Sequence, residues 1–365
     1  MTVELKEPEV NVNAAAPDQA KLEALSGKVI GDVAGAVSLF MSFLGDQAGV
    51  YAAMDKAGAA TVSELAAQTG LREKYLREWL SANAAAGYIE YNAKDETFFL
   101  TPEQATIFSR EGQPMCMQGF FQSVVALYDQ HEKSIETFRT GEGRSWGEQS
   151  PCMFCGVDRF FRPGYAAHLT TEWIPALAGV ADKLQAGIKV ADIGCGYGSS
   201  TLLMAKQFPN STFFGYDFHE PSIMAAREKA EMEGLDNVFF EVASATSFSG
   251  TDFGFVCIFD ALHDMGDPVG AARHIRENLA PGGTFMLVEP LAGDSLSDNL
   301  HPLGQIFYGF STVACVPCSI AQEVGYGLGA QAGQKKLTEV LNEAGFQHVR
   351  LATQTHTNII LEVKA

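Results

Sequence analysis

Residues 188–290 alternate short apolar runs with helical stretches, and the stretch KVADIGCGYGSSTLL at 189–203 carries three closely spaced glycines. An apolar run, then Asp192, then Gly194, Gly196 and Gly198, then a helical pattern describes a strand, a tight turn and a helix start. The alternation continues through TFFGYDF, SIMAAREKAEMEG, VFFEVA, FGFVCIFDAL, VGAARHIRENLA and GTFMLVEP. Consecutive βα units of this kind predict a doubly wound, mostly parallel Rossmann-like α/β sheet over 186–365, with helices on both faces. KKLTEVLNEAG (335–345) predicts one more helix, and HVRLATQTHTNIILEVKA two terminal strands. No internal repeat is visible.

Two ligand classes compete for the glycine turn. A nicotinamide or flavin dinucleotide asks for glycine or alanine in the third position of G-x-G-x-x-G, where this chain has Ser199. It would also lay a doubly charged pyrophosphate on the helix N-terminus, beside the opposing carboxylate of Asp192. S-adenosylmethionine has no phosphate and carries a sulfonium and an α-ammonium, which a carboxylate suits. Asp217 ends the next strand, where its two acceptor oxygens suit a pair of ribose hydroxyls in either ligand. Ser244, after the third strand, is placed for the adenine edge.

Upstream, residues 1–19 read as a disordered tail and 20–60 as two buried apolar helices. Thr61 and Glu64 then cap a helix, Thr69-Gly70 breaks it, and a second helix runs 71–86 with Leu71, Tyr75, Leu76, Trp79 and Leu80 on one face. Gly87 ends it. YIEY and TFFL read as a hairpin around NAKDE. Helix, turn, helix and ribbon predict a winged-helix domain over 20–110, followed by a helical connector carrying substrate-pocket helices at 111–185.

Charge decides against the usual role of a winged helix. The formal net charge is -19. Over 61–100 the basic residues Arg72, Lys74, Arg77 and Lys94 are outnumbered by Glu64, Glu73, Glu78, Glu90, Asp95 and Glu96. A phosphate backbone is repelled by such a surface, so nucleic acid is not an expected partner. The apolar stretch VAGAVSLFMSFLG (33–45) is too short to span a bilayer, and the N-terminus lacks a signal pattern. Seven cysteines are an odd number at low density, as in a reducing compartment. The expectation is a cytoplasmic protein with no membrane partner.

DIGCGYG, GYDF, FDALHD and LAPGGTFMLVEP, in that order, resemble a class I S-adenosylmethionine-dependent methyltransferase. With the winged helix, the chain is similar to multi-domain small-molecule methyltransferases, whose O-methyltransferase members dimerise through the N-terminal region. FFLTPEQA, FFRPGYAAHL, EWIPAL and GLGAQAG further resemble a bacterial subgroup of that family with mycobacterial members. The resemblance implies S-adenosylmethionine held by Asp192, Gly194, Gly196, Gly198, Asp217, Phe218, Ser244, Ala245, Asp260 and Ala261. It also implies a homodimer and a small-molecule acceptor.

Methyl transfer to a hydroxyl asks for a base, and His263 in IFDALHDMGDP sits at the carboxyl edge of the sheet with an ordinary pKa of about 6.5. Its pairing with Asp264 resembles the His-Asp step of O-methyltransferases, in which that histidine is the base. Glu289 ends the next strand, where it can hold the base or the substrate. Tyr165, His168 and Trp173 on one helix, and Phe307 and Tyr308 on another, are the expected walls of an aromatic-lined acceptor pocket. Cys152/Cys155 and Cys315/Cys318 have the spacing of zinc ligands, but their apolar surroundings favour inert thiols and no metal is expected. A thioether or amine acceptor needs no base, so S- or N-methylation stays open. A cofactor-sensing winged-helix regulator is the alternative outside catalysis.

Overall fold

The computed structural model describes residues 16–365, so residues 1–15 of the expected tail lie outside it. The chain divides between Leu100 and Thr101 into two compact units.

The first unit holds helices Gln19–Gln47, Val50–Ala57, Val62–Thr69 and Glu73–Ala85, then β1 (Glu90–Asn92) and β2 (Thr97–Phe99) paired antiparallel. The expected capping box is present: Thr61 and Glu64 satisfy each other's backbone N–H. Tyr51, Met54, Leu65, Leu76, Trp79 and Leu80 form the core. The Trp79 indole N–H donates to the Met41 carbonyl at 2.7 Å. Gly45 admits the indole, since a Cβ there would overlap the ring.

Two expectations are corrected. Tyr75 is 81% exposed and does not share the buried face of its helix. The helix Gln19–Gln47 is mostly exposed, with Ser42 and Gly45 its buried residues. Leu22, Leu25, Val29, Val33, Val37, Phe40 and Leu44 recur at spacings of three and four and are exposed. A helical apolar stripe of this kind has the same pattern whether its partner is its own core or another chain. The helix is also longer than its most apolar stretch. By length and composition alone, Gln19–Gln47 and Pro302–Ile320 could each cross a bilayer.

The second unit is built on a seven-stranded sheet. Its strands are β3 (Lys189–Ile193), β4 (Thr212–Asp217), β5 (Val238–Val242), β6 (Phe253–Phe259), β7 (Leu279–Pro290), β8 (His348–Gln354) and β9 (Asn358–Lys364). Their order is β5-β4-β3-β6-β7-β9-β8. The pairs from β5 to β7 are parallel, and β9 runs antiparallel to both neighbours. Alternate residues feed opposite faces of the sheet. Val190, Phe213, Cys257 and Met286 meet Leu169, Trp173, Leu202 and Met204 on one side. Ala191, Val256, Ile258 and Leu287 meet Val269, Ile275, Leu337 and Val340 on the other. The fold is the doubly wound, mostly parallel one that the βα alternation predicts.

The order of winding reverses between β3 and β6, and this opens a crevice at their carboxyl ends. Two helices beside it carry π turns. Pro151–His168 runs into Leu169–Trp173, and Pro302–Phe310 runs through Ser311–Cys315 into Val316–Ile320.

Candidate active site

A cavity of about 540 Å³ lies in this crevice. Gly194, Gly196, Asp217, Phe218, Ser244, Ala245, Asp260 and Ala261 all line it, brought together from the ends of β3, β4, β5 and β6. The glycine turn is shaped by backbone that only glycine adopts readily. Gly194, Gly196 and Gly198 have φ of 72°, 52° and 74°. A Cβ on Gly198 would also stand 2.6 Å from the Phe240 ring.

Asp217 ties the turn to β4. One carboxylate oxygen accepts the Gly196 N–H at 2.9 Å and the other the His219 N–H at 2.8 Å. Each oxygen keeps lone-pair capacity for a ligand. Burial raises its pKa, opposed by these two N–H donors.

Asp192 and Gly198 do not line the cavity. Asp192 is fully buried beneath the turn and accepts the hydroxyls of Ser200 at 2.7 Å and Thr201 at 2.6 Å. Through one oxygen it anchors the helix start, while its other oxygen is buried without a hydrogen-bond partner. Burial pushes its pKa up to about 6 against those two hydrogen bonds.

Asp260 is the most strained acid in the crevice. Its φ is 49°, an uncommon conformation outside glycine. One carboxylate oxygen accepts from Asn358 Nδ2 at 2.6 Å, while the other is buried with no hydrogen-bond partner. Burial and then Glu289 drive its pKa well up, with His263 pulling the other way.

His263 and Asp264 lie on a short 3-10 turn after β6. The His263 side chain is buried, and its Nδ1 lies 2.6 Å from Glu289 Oε2. Glu289 Oε1 accepts the Leu262 N–H at 2.9 Å. Glu289 therefore holds His263 and the turn, and it does not line the cavity. Nε2 lies 3.2 Å from Asp264 Oδ1. Burial by itself lowers the His263 pKa, but the carboxylates of Asp264 and Glu289 outweigh it and hold the imidazole well above its ordinary value. Asp264 lines the cavity and His263 does not.

The expected pocket walls are divided. Tyr165 lines the cavity. Trp173 is buried in the core against Tyr165 and Phe259, and His168 lies 3.0 Å from Glu172. Tyr308 lines a separate cavity of about 460 Å³ with Phe138 and Val316, and Phe307 lines neither. The wall instead continues upstream from Tyr165 along one helix face: Phe154, Asp158 and Phe161. Their spacing of four and three, ending four residues before Tyr165, is a helical signal that could have found them. Asp158 accepts the Ser199 hydroxyl at 2.5 Å. The four zinc-spaced cysteines do not gather: among the described residues, the one group of potential metal ligands is His263, Asp264 and Cys315.

Six carboxylates line the cavity (Asp158, Asp217, Asp260, Asp264, Asp267 and Glu323), and no lysine, arginine or histidine does among the described residues. A cation-bearing cofactor without phosphates fits this lining. A pyrophosphate does not fit it.

A family profile described as "Methyltransferase domain" matches residues 184–345, and one described as "Rv2258c-like winged HTH domain" matches 35–110. Residues 184–345 form an S-adenosylmethionine-dependent methyltransferase domain. The chain is 31% identical over 102 residues to a demethylmenaquinone methyltransferase of Thermus thermophilus, across 28% of this chain and 46% of that protein. It is 27% identical over 182 residues to one of Listeria welshimeri, across 46% of this chain and 74% of that protein. A trans-aconitate 2-methyltransferase of Deinococcus radiodurans is 32% identical over 112 residues, across 31% of this chain and 42% of its own. The chain thus spans less than half the length of the Thermus and Deinococcus relatives. Among solved structures, mitomycin 7-O-methyltransferase MmcR superposes with a TM-score of 0.69 at 18% identity, covering 95% of this chain and 100% of its own. Human N-acetylserotonin methyltransferase in complex with S-adenosylmethionine gives 0.66 at 15% identity, covering 96% and 99%. These two likenesses concern the fold of the chain.

Proposed function

We propose that the protein methylates a hydroxyl of a small, partly apolar acceptor, with His263 as the general base and Glu289 as its positioning residue. When bound, S-adenosylmethionine supplies a methyl group already activated by its sulfonium leaving group. Gly194, Gly196, Asp217, Phe218, Ser244, Ala245, Asp260 and Ala261 would hold it. The protein's remaining tasks are to align the acceptor, exclude water and take its proton. His263 Nδ1 is held by Glu289, so Nε2 is the atom left to take that proton. That hydrogen bond is the observation that carries the reading.

The lining also bears on the acceptor. Trp146, Phe154, Phe161 and Met265 give it apolar walls, and its carboxylates repel anions. A neutral or cationic aromatic hydroxyl compound suits both features. The acidic composition supports the absence of a nucleic-acid partner. Seven free thiols support a cytoplasmic setting. The exposed stripe on Gln19–Gln47 supports a homodimer, in which two such helices cover each other.

One observation favours a second reading. His263 is buried and does not line the cavity. A thiol or amine acceptor that needs little help from a base would be indifferent to this. Incubation with methyl-labelled S-adenosylmethionine and a panel of phenols, thiols and amines separates the two. Label on a phenol oxygen, with the rate falling about 10²–10⁴-fold in His263→Ala, supports the base. Label on sulfur or nitrogen, with His263→Ala unchanged, replaces it with the second reading.

A further inference from the structure

The geometry points to a binding site for a zinc-like divalent cation formed by His263 Nε2, the Asp264 carboxylate and the Cys315 thiolate. One ligand atom from each of the three residues lies within 4.8 Å of the others. Oδ1 of Asp264 is 3.2 Å from His263 Nε2. The pair is buried with no hydrogen bond recorded to Oδ1, and the Cys315 thiol lies against both side chains. Three potential donors packed against one another in this way can become ligands of one ion. Ligands at zinc–nitrogen and zinc–sulfur bond lengths of about 2.0 and 2.3 Å stand roughly 3.3–3.6 Å apart around a tetrahedron.

The surrounding backbone supports the cluster. The 3-10 turn Leu262–Asp264 presents the first two donors. Cys315 ends the π turn Ser311–Cys315, a local widening of the helix that is frequent at functional sites. Glu289 fixes Nδ1, the arrangement in which a carboxylate orients a metal-bound histidine and strengthens it as a ligand. A sulfur, nitrogen and oxygen donor set selects zinc-like ions over magnesium or calcium. Three protein ligands leave a fourth position open, and Asp264 connects the site to the cavity. Binding releases the thiol proton to solvent.

The site has a consequence for catalysis that rests on the function proposed above. One lone pair on Nε2 cannot hold both an ion and the acceptor's proton, so a bound ion blocks the base.

The test uses the full chain, stripped with a chelator and titrated with Zn²⁺, and separately with Co²⁺. The expected result is one ion per chain and a thiolate-to-cobalt charge-transfer band. Cys315→Ser abolishes the band and weakens binding by about tenfold or more. Glu289→Gln weakens it by about 10–100-fold. Asp264→Asn weakens it with little change in shape, and S-adenosylhomocysteine binding reports that each variant is folded. Failure to bind an ion stoichiometrically, or a charge-transfer band that survives Cys315→Ser in folded protein, overturns the site. Methyl transfer by the metal-free protein reports on the base independently.

Discussion

His263 Nδ1 and Glu289 Oε2 meet at 2.6 Å with both side chains buried, joining the turn after β6 to the end of β7. Glu289 also accepts the Leu262 N–H, so a single carboxylate sets the position of the turn and the orientation of the ring. Glu289→Gln should therefore slow methyl transfer by less than His263→Ala, which should cost about 10²–10⁴-fold. Neither change should abolish S-adenosylhomocysteine binding. Steady-state kinetics with calorimetry checks this, and loss of cofactor binding in Glu289→Gln would place Glu289 in a different role.

The same pair sets the pH dependence. His263 is buried, which disfavours its charge, but Asp264 and Glu289 override burial and raise its pKa well above about 6.5. Cys315 and Asp260 are the other titratable groups beside it. The ring must be neutral to accept a proton, so kcat/KM should climb with pH along an acid limb well above 6.5. Glu289→Gln should move that limb down. The stability contribution has the opposite trend. It is fully present below the unfolded value of about 6.5 and is lost as pH rises through the folded value. Rate profiles and thermal melts across pH test both signs, and an acid limb at or below 6.5 would contradict the assignment.

Two buried details of the glycine turn bear on stability. Asp192→Ala leaves the Ser200 and Thr201 hydroxyls without their acceptor and should cost about 2 kcal/mol or more. Gly198→Ala combines a left-handed φ with contact on Phe240 and should cost about 1–3 kcal/mol. Because burial lifts the Asp192 pKa to about 6, the folded state holds its proton between roughly pH 4 and 6. Its contribution should therefore favour the fold increasingly as pH falls through that window, a trend that Asp192→Asn removes. Urea denaturation at several pH values measures all three.

The helix Gln19–Gln47 leaves Val29, Val33 and Val37 exposed in one stripe. Val33→Asp with Val37→Asp should convert a dimer to a monomer in light scattering, by placing charge in the seam. A wild-type protein that is already monomeric at micromolar concentration would remove the dimer.

The sheet, the glycine turn and the acid at Asp217 were legible because each is local. A βα alternation, a run of glycines and a carboxylate one strand later need no knowledge of distant partners. The same holds for the Thr61–Glu64 capping box. What was not legible depends on meetings between distant segments. Nothing around Cys315 announces that a π turn brings it to His263 and Asp264. Asp192 has the sequence position of a ligand, but the hydroxyls of the following helix claim it. The apolar residues of Gln19–Gln47 have core periodicity, yet the fold of one chain does not cover them. Trp173 ends a π turn that begins directly after His168, which shifts the helical face read from regular spacing.

The carboxylate-lined crevice should take S-adenosylmethionine and not a dinucleotide. Calorimetric titration with S-adenosylhomocysteine, with NADH in parallel and Asp217→Ala as the control, tests it most directly. One molecule of S-adenosylhomocysteine should bind per chain, with no heat from NADH and loss of binding in the variant. Binding of NADH without S-adenosylhomocysteine would contradict it.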